Sequence, residues 1–89
     1  MRTKKGFLKR YVVDANVVLP IGENLTDFGG MLTLSEVASF LWDLLSARDC
    51  TKEDLLKAVL NEYDVDEATA SADLDTFLQQ MRDVNVLDE

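Results

Sequence analysis

The sequence predicts an α+β fold in which a three-stranded antiparallel sheet precedes three helices, in the order β-β-β-α-α-α. Three observations predict it. Aromatic and β-branched residues crowd positions 7 to 34 in short runs separated by Gly, Asn and Asp, which is strand-and-turn chemistry. From 35 to 84 the apolar residues recur three and four apart, which is helical spacing. The 89 residues, 47% of them apolar, suffice for one domain with one modest core.

The first strand is Phe7-Leu8-Lys9-Arg10-Tyr11-Val12-Val13. Alternation places Phe7, Tyr11 and Val13 on one face with Lys9, and Leu8 and Val12 on the other with Arg10. Asp14-Ala15-Asn16 is a polar break of about three residues, so Val17 to Ile21 is expected to pair back as a hairpin. Pro20 has no N–H, so either that strand ends near Leu19 or position 20 faces away from a partner. Gly22 to Gly30 reads as a loop, and Met31-Leu32-Thr33-Leu34 as a short third strand.

Each helix carries its own start signal. Ser35 is an N-cap with Glu36 in the first turn, ahead of Val37, Phe40, Leu41, Leu44 and Leu45 with Trp42 beside them. Trp42 is expected to keep an edge near the surface. Thr51-Lys52-Glu53-Asp54 has capping-box spacing with Asp54 in the acidic position, followed by Leu55, Leu56, Val59, Leu60 and Tyr63. The third helix starts near Asp66 and runs to about Val84, with Ala70, Leu74, Phe77, Leu78, Met81 and Val84 on one side. Asn85 is a candidate left-handed cap, after which Val86-Leu87 folds back on the core. Residues 1–6 form a basic N-terminal tail and 7–89 the domain.

Composition removes most function classes. Net charge is −8, and five of nine cations (Arg2, Lys4, Lys5, Lys9, Arg10) fall in the first ten positions, leaving −13 on residues 11–89. Histidine is absent and Cys50 is the one cysteine, which strips away the usual parts of metal sites and nucleophilic triads. We therefore expect no catalytic residue, metal or cofactor. A lone cysteine fits a reducing compartment, and no apolar run reaches the roughly 20 residues of a membrane span, so a cytoplasmic location is expected. The Asp64-Val65-Asp66 pair does not continue as a calcium loop, and Asn24-Leu25-Thr26 is a sequon without a secretion signal.

Two alternatives have specific counts against them. An acyl or peptidyl carrier needs a serine of the Asp-Ser-Leu type opening a helix; neither Ser35 nor Ser71 has that setting, and the strand-rich first third is foreign to an all-helical carrier. Three strands and three helices also suit a winged helix-turn-helix, a fold used on DNA. Its reading helix would here carry Asp66, Glu67, Asp73, Asp75 and Asp83 against Arg82 alone, and phosphates would repel it. A binding module for a peptide remains: Met31–Leu34, if at a sheet edge, offers free backbone groups to an added strand.

Leu34-Ser35-Glu36-Val37-Ala38-Ser39-Phe40-Leu41-Trp42-Asp43-Leu44-Leu45 resembles the Leu-Asn-Glu-x-Ala/Gly-x-x-Ile-Trp-x-Leu-Leu segment of the PqqD family, with Ser35 in place of Asn. Thr51-Lys52-Glu53-Asp54-Leu55 with Leu60 and Tyr63 resembles its second helix. Asp73 to Leu87 resembles its closing segment, with Asn85 where glycine is common. The resemblance implies a winged helix-turn-helix RiPP recognition element, related to pyrroloquinoline quinone (PQQ) biosynthesis or another peptide pathway. Such an adaptor binds the leader of a ribosomal precursor peptide and presents it to a modifying enzyme, commonly a radical S-adenosylmethionine (SAM) protein. The acidic charge and the lack of a membrane-length apolar run speak against a nucleic-acid or membrane partner, and a monomer or weak dimer is expected. Carried onto this sequence, the peptide site would be Gly30, Met31, Leu32 and Thr33 on the third strand, facing Thr69, Asp73, Thr76, Phe77 and Gln80 on the third helix.

Overall fold

The computed structural model describes residues 1–21 and 32–89. Its elements are β1 (Arg2–Thr3), β2 (Phe7–Val12), β3 (Ala15–Pro20), β4 (Leu32–Leu34), α1 (Glu36–Ala47), α2 (Lys52–Glu62), α3 (Glu67–Asp83) and β5 (Leu87–Asp88). Strands β2, β3 and β4 form one antiparallel sheet in that order, and the three helices follow, as the sequence patterning requires. The expected loop over 22–30 and the start of the third strand at Met31 lie outside the described residues.

The hairpin is tighter than expected. Its loop is Val13-Asp14, two residues rather than the three of Asp14-Ala15-Asn16, and β3 begins at Ala15 instead of Val17. Both loop residues have positive φ, 46° and 64°, the backbone of a two-residue turn whose twist matches the flanking strands. Asp14 tolerates that region and accepts a hydrogen bond from the Tyr11 hydroxyl at 3.2 Å, whereas a β-branched valine there is an outlier. The turn type outweighed the residue preference of Val13.

Register fixes which groups face inward. Lys9 pairs with Val18, which pairs with Leu32; Tyr11 pairs with Asn16, which pairs with Leu34. Val18, Leu34 and half-buried Phe7 and Leu32 therefore pack on the helices. Lys9 shares that face and is kept there by polar partners: its ammonium donates to Ser39 Oγ and pairs with Asp43, each at 2.7 Å. This link from β2 to α1 satisfies the buried Ser39 hydroxyl.

The helix signals read from the sequence act as expected. Ser35 Oγ accepts from the Ala38 N–H, Thr51 and Asp54 complete a reciprocal capping box, and Asp66 accepts from the Thr69 N–H. Asn85 takes φ 60° and ends α3. Val86 and Leu87 then turn into the core beside Leu41, Leu45, Leu55, Leu74, Leu78 and Met81. Trp42, expected to keep an exposed edge, is only 4% exposed, because α1 is enclosed on more sides than a surface helix.

Residues 1–6, set apart in the sequence by charge, are held by the body. Arg2 and Thr3 pair with Asp88 and Leu87, the Lys4 N–H donates to the Val86 carbonyl, and the Cys50 N–H donates to the Met1 carbonyl. Cys50 is buried. Among the described residues no helix is long and apolar enough to cross a membrane.

Candidate peptide-binding groove

The ladder phase decides what β4 offers. The Ile21 N–H donates to the Gly6 carbonyl at 2.8 Å, and Phe7↔Pro20 is the next pair. Hydrogen-bonded and non-bonded pairs alternate in an antiparallel ladder. Ala15, Val17 and Leu19 therefore turn their backbone polar groups toward β2, while Asn16, Val18 and Pro20 turn theirs the other way. Pro20 thus costs the β2–β3 ladder nothing. Continuing outward, Asn16↔Leu34 and Val18↔Leu32 are the bonded pairs of the next ladder, and Val17↔Thr33 is not. Thr33 accordingly directs its own N–H and C=O away from β3. Because β4 ends the sheet order, those two groups face an unpaired edge among the described residues.

A concave site of about 280 Å³ opens where β4 passes into α1. Its walls are Ser35, Val37, Ala38 and Leu41 from the start of α1, and Asp73, Thr76, Phe77 and Gln80 from α3. The α3 residues lie at i, i+3, i+4 and i+7, one face of a helix. From Asp73 to Gln80 that face runs about 10 Å, the reach of about three residues of extended chain. Phe77, 4% exposed, and Leu41, 1% exposed, form the floor. Asp73, Thr76 and Gln80 form an exposed polar rim, with the Thr76 hydroxyl returned to the Ala72 carbonyl at 3.1 Å.

Of the nine residues named from the sequence, Asp73, Thr76, Phe77 and Gln80 line this site together. Leu32 is half-buried against the core and Thr33 is exposed on the neighbouring strand. Thr69 is exposed and engaged elsewhere, its N–H and hydroxyl both donating to Asp66 as part of the α3 cap. Gly30 and Met31 lie outside the described residues. The opposite wall, Ser35, Val37, Ala38 and Leu41, went unnamed. Val37 and Leu41 carry the helical apolar period of a core and Ser35 the signal of a cap; only the approach of α1 to α3 makes them a wall.

A second, smaller cavity of about 140 Å³ adjoins the first. Val37, Leu41 and Asp73 line both, and Val59, Tyr63, Val65, Ala70 and Leu74 close the smaller one. Tyr63 is fixed by an edge-to-face contact with Phe40, ring centroids 5.6 Å apart, and burial raises its hydroxyl pKa.

The sequence profile of the family described as coenzyme PQQ synthesis protein D (PqqD) matches residues 10–87. The chain belongs to the PqqD family. Among solved structures it is similar to "TbiB1 in Complex with the TbiA(beta) Leader Peptide", at 27% sequence identity and a TM-score of 0.76. That likeness covers 99% of this chain and 95% of the other. No curated protein matches the sequence. The PqqD profile spans both walls of the groove and strand β4.

Proposed function

We propose that this PqqD-family chain is a non-catalytic adaptor, a RiPP recognition element that captures the leader of a ribosomally made precursor peptide. The leader adds as a strand along the outer edge of β4, bonding to the Thr33 N–H and C=O, and lies between that edge and α3 with its side chains over Phe77 and Leu41. It is thereby presented to a modifying enzyme, for which a radical SAM protein is the expected partner. The observation that carries the reading is the coincidence of an outward-facing backbone pair at Thr33 with a groove of strand-sized length beside it. Similarity to TbiB1, solved with a leader peptide, supports it. The chain's contribution to the reaction is local concentration: holding the leader makes encounter of precursor and enzyme intramolecular.

The test is amide chemical-shift mapping of the labelled protein titrated with the leader of a short precursor encoded beside it. The expected shifts fall on residues 32–34 and on the 73–80 face of α3. Shifts confined to α2 or to the β2–β3 turn would refute this site.

A further inference from the structure

We propose that the groove selects leaders carrying a lysine or arginine beside an aliphatic residue, with Asp73 as the residue that reads the cation. The proposal rests on the peptide-docking reading above and names the class of peptide that site takes.

Its basis is the lining of the two cavities. Among the described residues Asp73 is the one charged side chain that lines either of them, and it lines both. Neighbouring carboxylates on α3 have partners: Asp75 pairs with Lys52, and Asp83 accepts from Gln79 at 2.9 Å. Among the described residues the Asp73 carboxylate has neither an ion pair nor a hydrogen bond. It stands exposed at the rim, beside the apolar Val37, Leu41 and Leu74. Four of the nine cations lie on residues 11–89, and none lines either cavity. A peptide acid would find no cationic side chain among the lining residues.

The smaller cavity sets the neighbour. Its walls are aliphatic apart from Tyr63 and Asp73, and its volume of about 140 Å³ is roughly four to five times the 30 Å³ share of a water molecule. That is the scale of the four-carbon side chain of leucine or isoleucine, and the aliphatic lining suits it. Because Asp73 borders both cavities, the cation and the aliphatic group reach the chain from positions close together. On an extended peptide, residues i and i+2 share a face about 7 Å apart, which is the spacing expected.

The experiment is selection of a randomised displayed peptide library on the full chain. Calorimetry of a synthetic enriched peptide against the native protein and Asp73→Asn follows, with helicity of the variant checked by circular dichroism. The expected result is an enriched pattern of one aliphatic residue with Lys or Arg two positions away. Asp73→Asn should then bind about fivefold more weakly in dilute buffer, the scale of a partly exposed ion pair. That difference should shrink at about 0.3 M salt. Asp73→Lys should restore binding to a peptide whose cation is replaced by Glu. Enriched peptides that map to β4 but lack a basic residue, or that bind Asp73→Asn equally well, overturn the charge assignment and leave the docking reading intact. A library that yields no binder overturns both.

Discussion

Thr33→Pro isolates strand addition from every other way a peptide could occupy the groove. The register makes Thr33 a non-bonded partner of Val17, so its N–H contributes nothing to the β3–β4 ladder. Proline at this edge position removes one outward donor and leaves the inner ladder whole, the setting in which sheets accept proline. A main-chain hydrogen bond contributes a net of about 0.5–1.5 kcal/mol, or roughly two- to tenfold in affinity. The ring also projects where an incoming strand would lie, so we expect the upper end, about tenfold weaker binding by calorimetry. Leu34→Pro is the contrast: it strikes a bonded pair with Asn16 and should destabilise the sheet itself. Binding by Thr33→Pro within twofold of native, with a native circular dichroism spectrum, would show that the peptide does not pair with β4.

Three further outcomes follow from the fold. Replacing Val13-Asp14 by Asn-Gly relieves a β-branched residue at φ 46°, and should stabilise by about 1 kcal/mol, raising Tm by about 4–8 °C in calorimetric scans. Thr51→Ala removes one half of the α2 capping box and should cost about 1 kcal/mol in urea unfolding, with leader affinity unchanged because the box is remote from the groove. Acid should destabilise the protein in a defined window. The Thr51 backbone N–H holds the Asp54 pKa below the usual carboxylate value, and the Thr69 hydroxyl and N–H do the same for Asp66. Depressed carboxylates stabilise fully above their unfolded pKa, near 4, and lose that contribution as pH falls through the folded value. Tm should therefore stay level from about pH 7 to 5 and fall below about pH 4, less steeply in Asp54→Asn, which removes one of these titrating carboxyls.

The helices were legible because their signals are local. Ser35, Thr51 with Asp54, Asp66 and Asn85 each act within a few residues of themselves, and each does in the structure what its type and spacing imply. The sheet was less so. The hairpin loop fell at Val13-Asp14 because the twist-matched turn imposed a conformation that valine alone would not suggest. The β1–β5 pair was invisible, since two-residue strands at opposite ends of the chain leave no period to detect. Alternation places Lys9 on the face of Phe7 and Tyr11; why a cation stands there is explained only once Ser39 and Asp43 of α1 come opposite it.

The groove divides the same way. The α3 wall of Asp73, Thr76, Phe77 and Gln80 could be named because helical spacing puts those residues on one face and the family resemblance says which face matters. The α1 wall could not, because a residue lining a pocket and a residue filling a core share the same apolar spacing. Thr69 illustrates the converse: it lies one turn before Asp73 on that face, yet its donors are committed to the Asp66 cap. Which backbone groups of β4 point outward was likewise hidden, since the phase of the ladder follows from where the hairpin turns, at Val13-Asp14, and the Ile21–Gly6 bond agrees with it.

Hydrogen exchange at the Thr33 amide tests the central claim most directly. In the free protein that N–H, directed off the sheet edge, should exchange rapidly while those of Leu32 and Leu34 are protected by β3. Saturation with a bound leader should slow Thr33 to the rate of its neighbours. An amide that is already protected without peptide, or that stays fast in the saturated complex, would contradict strand addition at β4.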